Sequence, residues 1–222
     1  MKSDFSMMYF KSKRNAVRLN AHNIVEKQHK DSTAAKFESK RLALLHDKGL
    51  AVPKLLSVKD NVIEMEYVHA KTLPDMIETW EAKPDPIAQA RAAVSLVVWL
   101  EKYYEIMNPE TRGDINGLNF LFDGKEVVGV DFEEQGHGTI AEDVGLLLAY
   151  ILTYSPEFTQ IKKAFANQIA HYASGVFDVA PGILLQSQTA ALEMLFNRRE
   201  RNRRTESHLH KAYADTLANR RI

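Results

Sequence analysis

The chain has 222 residues, 45% hydrophobic and 26% charged, which suits one large globular domain or two small lobes with a buried core. Its 29 Lys and Arg balance 29 Asp and Glu, so no overall charge marks it for a polyanion, although residues 198–222 hold eight basic residues against three acids. The lack of cysteine excludes disulfides, thiolate metal centres and a cysteine nucleophile. The stretch "MKSDFSMMYFKSKR" has no apolar core of a signal peptide, and no apolar run approaches the roughly 20 residues of a membrane helix. A cytoplasmic protein with no membrane partner is the expectation.

In chain order, "FSMMYF", "AVRLN" and "NIVEKQH" read as short strands separated by the polar turns "KSKRN" and "AHN". "STAAKFESKRLALLHDKG" predicts a helix, with Ser32 or Thr33 as cap and Gly49 where it stops. "VPKLLSV" and "VIEMEYV", joined by the turn "KDN", add two strands. From there the pattern is mostly helical. "TLPDMIETW" starts a short helix, and residues 87–107 form a long apolar one, expected to be buried on most sides. "AEDVGLLLAYILTY", "PEFTQIKKAFANQIAHYASGV" and a basic region from about residue 184 complete the helical set. There is no internal repeat and no low-complexity tract.

Between the helices lies "RGDINGLNFLF", then "DGK", then "EVVGVDFEE". Asp-Gly is a strong hairpin signal, because the tight type I′ turn needs φ > 0 at both central residues. With Asp123 and Gly124 in the turn, Phe122 faces Lys125 and Asp131 lies across from about residue 116. A longer loop would shift this by a residue or two. Asp114, Asn119 and Asp131 then converge at one end of the hairpin, with Glu133 and Glu134 beside them. Oxygen donors without His or Cys suit Mg²⁺. Equally, Asp114 can cap a turn, Asn116 and Asn119 can be loop residues, and Asp131 can end a strand.

The spacing D-x-x-x-x-N, a short hairpin, then D-F-x-x resembles the catalytic and metal-binding segments of the protein-kinase-like fold. The form "RGDINGLNFLF…VVGVDFEEQGHGTIAEDVGLLLAYIL" is most similar to the aminoglycoside phosphotransferase and choline kinase family, with the RIO kinases and the small kinase of the KEOPS complex as relatives. The resemblance spans roughly residues 24–172 and is most specific over 112–145. It implies an α+β, two-lobed protein-kinase-like fold: a small N-terminal β-sheet lobe with one helix (1–68, ATP-binding) and a mainly helical C-terminal catalytic lobe (69–222).

The resemblance also implies roles. Asp114 would be the catalytic base, and Asn119 and Asp131, with Glu133 assisting, would hold Mg²⁺. Lys27 would hold the ATP phosphates and pair with Glu38. The residues support that pairing: Lys27 shares a strand face with Val25, while Glu38, Leu42 and Leu45 share a helix stripe. Glu38 therefore points toward the core, where a carboxylate needs a partner. The interval from Glu38 through Gly49 to "VPKLL" fits the family's pattern. Backbone groups around Glu66 and Val68 would bind adenine, and Asp143 would order the catalytic loop.

Two departures stand out. No glycine precedes residue 49, so Ser12, Lys13, Arg14 and Asn15 replace a glycine-rich loop. Arg112 stands where the family has His. The function implied is an ATP- and Mg²⁺-dependent transfer of phosphate to a small-molecule hydroxyl. The alternatives are a small serine/threonine protein kinase of the RIO or KEOPS type, with a protein acceptor, and a non-catalytic kinase-fold binding module. Arg198–Arg204, in "NRRERNRR", is a candidate nucleic-acid contact, set against the solvated face of a terminal helix. His137 reads as an exposed loop residue, and Trp80, Trp99, Tyr103 and Tyr104 as core.

Overall fold

The computed structural model describes residues 8–10 and 14–202. Residues 5–7 of the first predicted strand, Ser12, Lys13 and the basic run beyond residue 202 lie outside them.

The first sheet is antiparallel and built from β1 (Met8–Phe10), β2 (Ala16–Leu19), β3 (Ile24–Gln28), β4 (Leu55–Lys59) and β5 (Val62–Glu66), in the order β1-β2-β3-β5-β4. Lys27 sits on the central strand, opposite Val17 on one side and Ile63 on the other. Helix α1 (Ser32–Asp47) crosses between β3 and β4. Its cap is Asp31, not Ser32 or Thr33: the Asp31 carboxylate accepts the Ala34 N–H at 2.9 Å. A carboxylate caps at least as well as a hydroxyl and also favours the positive end of the helix. Gly49 follows the helix at φ +73°, the left-handed turn expected there.

A second sheet, β6 (Lys71–Thr72), β7 (Phe120–Phe122) and β8 (Val127–Gly129), carries the hairpin. Its turn is longer than a two-residue type I′ turn. Phe122 pairs with Val127, not Lys125. The Asp123 carboxylate accepts the N–H groups of Lys125 and Glu126, which stabilises a four-residue loop over the tight alternative. The ladder continues past β8, where the Val130 N–H reaches the Asn119 carbonyl at 2.9 Å.

The rest is helical: α2 (Leu73–Ala82), α3 (Pro86–Met107), α4 (Ile140–Thr153), α5 (Gln160–Val176) and α6 (Pro181–Asn202). Capping boxes start α2 (Thr72 with Asp75) and α4 (Thr139 with Glu142). Helix α3 buries Ala92, Leu96, Trp99, Leu100 and Tyr103, yet it leaves Ile87, Val94 and Val98 exposed, so it is covered on fewer sides than its sequence implies. Trp99 joins the layers. Its indole N–H donates to the Ala51 carbonyl at 2.8 Å, and its ring packs edge-on against Phe120. Gly129 makes room for that ring, since a Cβ there would lie 2.1 Å from Trp99 Cζ2. Trp80, Tyr103 and Tyr104 are buried as well. Among the described residues, no helix is long and apolar enough to cross a membrane.

Candidate active site

The strand and helix of the N-terminal layer bring Lys27 and Glu38 together in a buried pair. Lys27 Nζ lies 2.7 Å from Glu38 Oε2, 2.6 Å from Asp131 Oδ1 and 3.5 Å from Glu133 Oε2. Burial alone would lower the Lys27 pKa, but the charges of Glu38 and Asp131 outweigh it and hold it above its ordinary value. For Glu38, burial pushes the pKa up; hydrogen bonding to His29 and the charge of Lys27 win and hold it down to about 2. The second Glu38 oxygen accepts the Phe132 N–H at 3.2 Å, so the helix also anchors the segment after Asp131.

His29 was not picked out from the sequence, although it follows Lys27 by two residues and so shares its strand face. It is buried, with Nε2 3.1 Å from Glu38 Oε2 and Nδ1 3.9 Å from Glu133 Oε2. His29, Glu38 and Glu133 come close enough to resemble a metal triad. The Lys27 ammonium already supplies the cation among these carboxylates, and a divalent ion would have to displace it.

Asn119 ends a single 3₁₀ turn, Gly117–Asn119, that follows Asp114 in the chain and leads into β7. Asn119 donates its amide to the Asp114 carbonyl at 3.2 Å, leaving its side-chain oxygen as an acceptor. Among the described residues, the Asp114 carboxylate has no hydrogen-bond or ion-pair partner within the protein. Asp131 sits at φ +64°, a left-handed conformation that needs support in a non-glycine residue. Its support comes from Arg112, which is fully buried. One guanidinium nitrogen donates to both the Val130 and the Asp131 carbonyls at 2.6 Å, and the cation lies 4.6 Å from the centre of the Phe132 ring. Asp143 in turn holds the loop from below. Its carboxylate accepts the backbone N–H groups of Arg112 and Gly113 and the Tyr104 hydroxyl at 2.5, 3.3 and 3.0 Å. Burial raises the Asp143 pKa despite these bonds.

Arg14 and Asn15, just ahead of β2, reach the acids. Arg14 bonds Glu134, Asn15 bonds Glu133, and a buried Arg41 on α1 joins the Glu134 carbonyl to the Glu110 carboxylate. Arg41 was also missed, though it falls one helical turn after Glu38. Glu66 and Val68 lie at the end of β5 and just past it. The Glu66 N–H is taken by the Lys54 carbonyl, and the Val68 carbonyl accepts the Ala70 N–H. His137 is exposed in its loop.

Oxygen donors at Asn119, Asp131 and Glu133, with no sulfur in reach, fit a hard divalent cation. The nearby Lys27 ammonium and the Arg14 guanidinium fit phosphate oxygens.

A family model described as the RIO domain matches residues 2–137. No curated protein matches the chain by sequence. Among solved structures, the ternary complex of APH(2″)-IIa with streptomycin and ATP superposes with a TM-score of 0.61 at 14% identity, covering 84% of this chain and 82% of that one. A choline/ethanolamine kinase family protein from Mesorhizobium loti superposes with a TM-score of 0.59 at 14% identity, covering 100% and 90%. At such identity these structures show the fold, and it is protein-kinase-like.

Proposed function

The chain belongs to the RIO domain family, and on that premise we propose that it is an ATP- and Mg²⁺-dependent phosphotransferase acting on a small-molecule hydroxyl. The observation that supports this best is the junction of Lys27 with Glu38 and Asp131 at 2.7 and 2.6 Å, which joins the sheet layer to the hairpin layer across 104 residues. A buried ammonium so close to two carboxylates suits a group that meets the phosphates of ATP and is kept charged until they arrive.

In this reading, residues 1–68 bind ATP and 69–222 carry the acceptor chemistry. Backbone groups around Glu66 and Val68 meet adenine. Asp114, with no hydrogen-bond or ion-pair partner among the described residues, orients the acceptor hydroxyl and takes its proton. Asn119 and Asp131 hold Mg²⁺, with Glu133 beside them, and Arg112 keeps the Asp131 backbone in place. Mg²⁺, when bound, neutralises charge on the transferring phosphoryl group. Catalysis is then positioning and electrostatic stabilisation. A small-molecule acceptor is favoured because one structural neighbour is described with streptomycin and the other as a choline/ethanolamine kinase family protein. ATP as donor suits a cytoplasmic location.

ADP release with Mg-ATP, in wild type and Asp114→Asn, tests the reading. The variant is expected to bind Mg-ATP, as seen by thermal shift, and to lose turnover by about 100-fold or more. Equal turnover in the two proteins would remove the role given to Asp114. No thermal shift of the wild type with Mg-ATP would remove the nucleotide reading altogether.

A further inference from the structure

Helix α1 meets the segment after Asp131 at two points, one helical turn apart along the helix. At the first, Glu38 accepts the Phe132 N–H at 3.2 Å. At the second, Arg41 Nη1 donates to the Glu134 carbonyl at 2.6 Å. The two ties bracket Glu133, and the first adjoins Asp131.

Arg41 is 7% exposed, and its cation lies 5.0 Å from the centre of the Phe37 ring. Its other terminal nitrogen, Nη2, pairs with Glu110 Oε2. The second oxygen of Glu110, Oε1, accepts the Gln135 side-chain N–H at 2.8 Å. Glu110 thus takes one donor from α1 and another from the segment after Asp131.

Glu110 stands four residues before Asp114, at the start of the catalytic loop. The next residue, Thr111, forms an antiparallel bridge with Gly136. A Cβ on Gly136 would lie 2.3 Å from the Thr111 carbonyl oxygen, so the two backbones are in close contact. The Arg41 fork therefore joins three segments: the helix that carries Glu38, the loop that carries Asp114, and the segment that carries Asp131 and Glu133. A planar guanidinium bonded to a carbonyl and a carboxylate from different segments fixes their spacing, which a single ammonium does not.

Resting on the phosphotransferase reading, we propose that Arg41 is a positioning residue for phosphate transfer, with Glu110 as its partner. It touches neither nucleotide nor acceptor. It holds the backbone around Asp131 and Glu133 at a fixed reach from Lys27 and Asp114, so that the metal carboxylates and the base address one phosphoryl group. Groups that hold metal ligands in place are worth about 10–100-fold in metal affinity or activity.

The test compares the full chain with Arg41→Met, Arg41→Lys and Glu110→Gln, each assayed below the midpoint of its own thermal melt. ADP release per folded molecule is titrated against Mg²⁺ and against ATP. Arg41→Met should raise the Mg²⁺ concentration for half-maximal release by about tenfold and lower kcat by about tenfold or more. Its KM for ATP at saturating Mg²⁺ should stay within about twofold of the wild type. Arg41→Lys, which keeps the charge but not the fork, should fall between. Glu110→Gln should move the Mg²⁺ dependence in the same direction by less. Arg41→Met with Glu110→Gln should lose no more than Arg41→Met alone, because both act through one contact.

Variants that melt earlier yet keep the wild-type kcat and Mg²⁺ dependence overturn the inference, since the clamp then serves stability alone. A raised KM for ATP at unchanged kcat also overturns it, and so do losses that multiply in the double variant. These three results leave the phosphotransferase reading standing. If Arg41→Met does not fold, Arg41→Lys and Glu110→Gln carry the same comparison. A wild type that binds no Mg-ATP or releases no ADP removes the reading and the inference with it.

Discussion

Replacing Glu38 with Gln removes one buried charge while keeping the shape and an acceptor for the Phe132 N–H. In the wild type, Glu38 faces Lys27 at 2.7 Å and His29 at 3.1 Å. A carboxylate held at about 2 against an ordinary 4.5 stabilises the folded state by about 3 kcal/mol. Removing one partner of a buried pair costs roughly 3–5 kcal/mol. Lys27 keeps Asp131 at 2.6 Å, so the lower end, about 3 kcal/mol, is expected. The sign with pH follows from the depressed folded value. The unfolded carboxylate takes up a proton first, so the contribution is fully present above pH 4.5 and is lost as pH falls toward 2. Urea denaturation of both proteins at pH 7, and at steps from pH 5 to 3, reads both effects. The variant should be about 3 kcal/mol less stable at pH 7, and the gap should shrink on acidification. A gap below about 1 kcal/mol at pH 7, or one that does not change with pH, would refute the buried-pair energetics.

Arg112→Met should cost about 2–4 kcal/mol, because the Val130 and Asp131 carbonyls each lose a charge-assisted hydrogen bond. It should also weaken Mg-ATP binding, read by thermal-shift titration, since Asp131 loses the support for its left-handed backbone. Asp131→Asn should raise the Mg²⁺ concentration needed for half-maximal ADP release, with a smaller effect on stability than Glu38→Gln because Glu38 stays with Lys27; an unchanged Mg²⁺ dependence would remove Asp131 from the metal site. Gly129→Ala should destabilise by about 1–3 kcal/mol or more, because the new methyl collides with the Trp99 indole; a chemical melt within about 0.5 kcal/mol of wild type would show that the ring can move aside.

Much of the fold was legible because its signals are local. The helix stop at Gly49 and the alternation around Lys27 each act within a few residues. The hairpin was legible in kind but not in register. Asp123 satisfies two N–H groups of its own loop, and that competition with a tight turn depends on side-chain bonding that the Asp-Gly pair alone does not reveal.

The sequence by itself determined the candidate donors: a strand lysine, a helix glutamate aimed at the core, and the Asp114, Asn119 and Asp131 spacing. Tertiary structure alone decided what surrounds them. His29 joins Glu38, Arg112 grips the Asp131 carbonyl, Arg14 closes over Glu134, and Arg41 pairs with Glu110. The physical reason is one of range. Periodicity and capping are set by backbone geometry over one or two turns, whereas these contacts join residues 9 to 120 positions apart. They form only once the apolar faces of the sheet, α1, α4 and α6 have packed and brought their polar edges together.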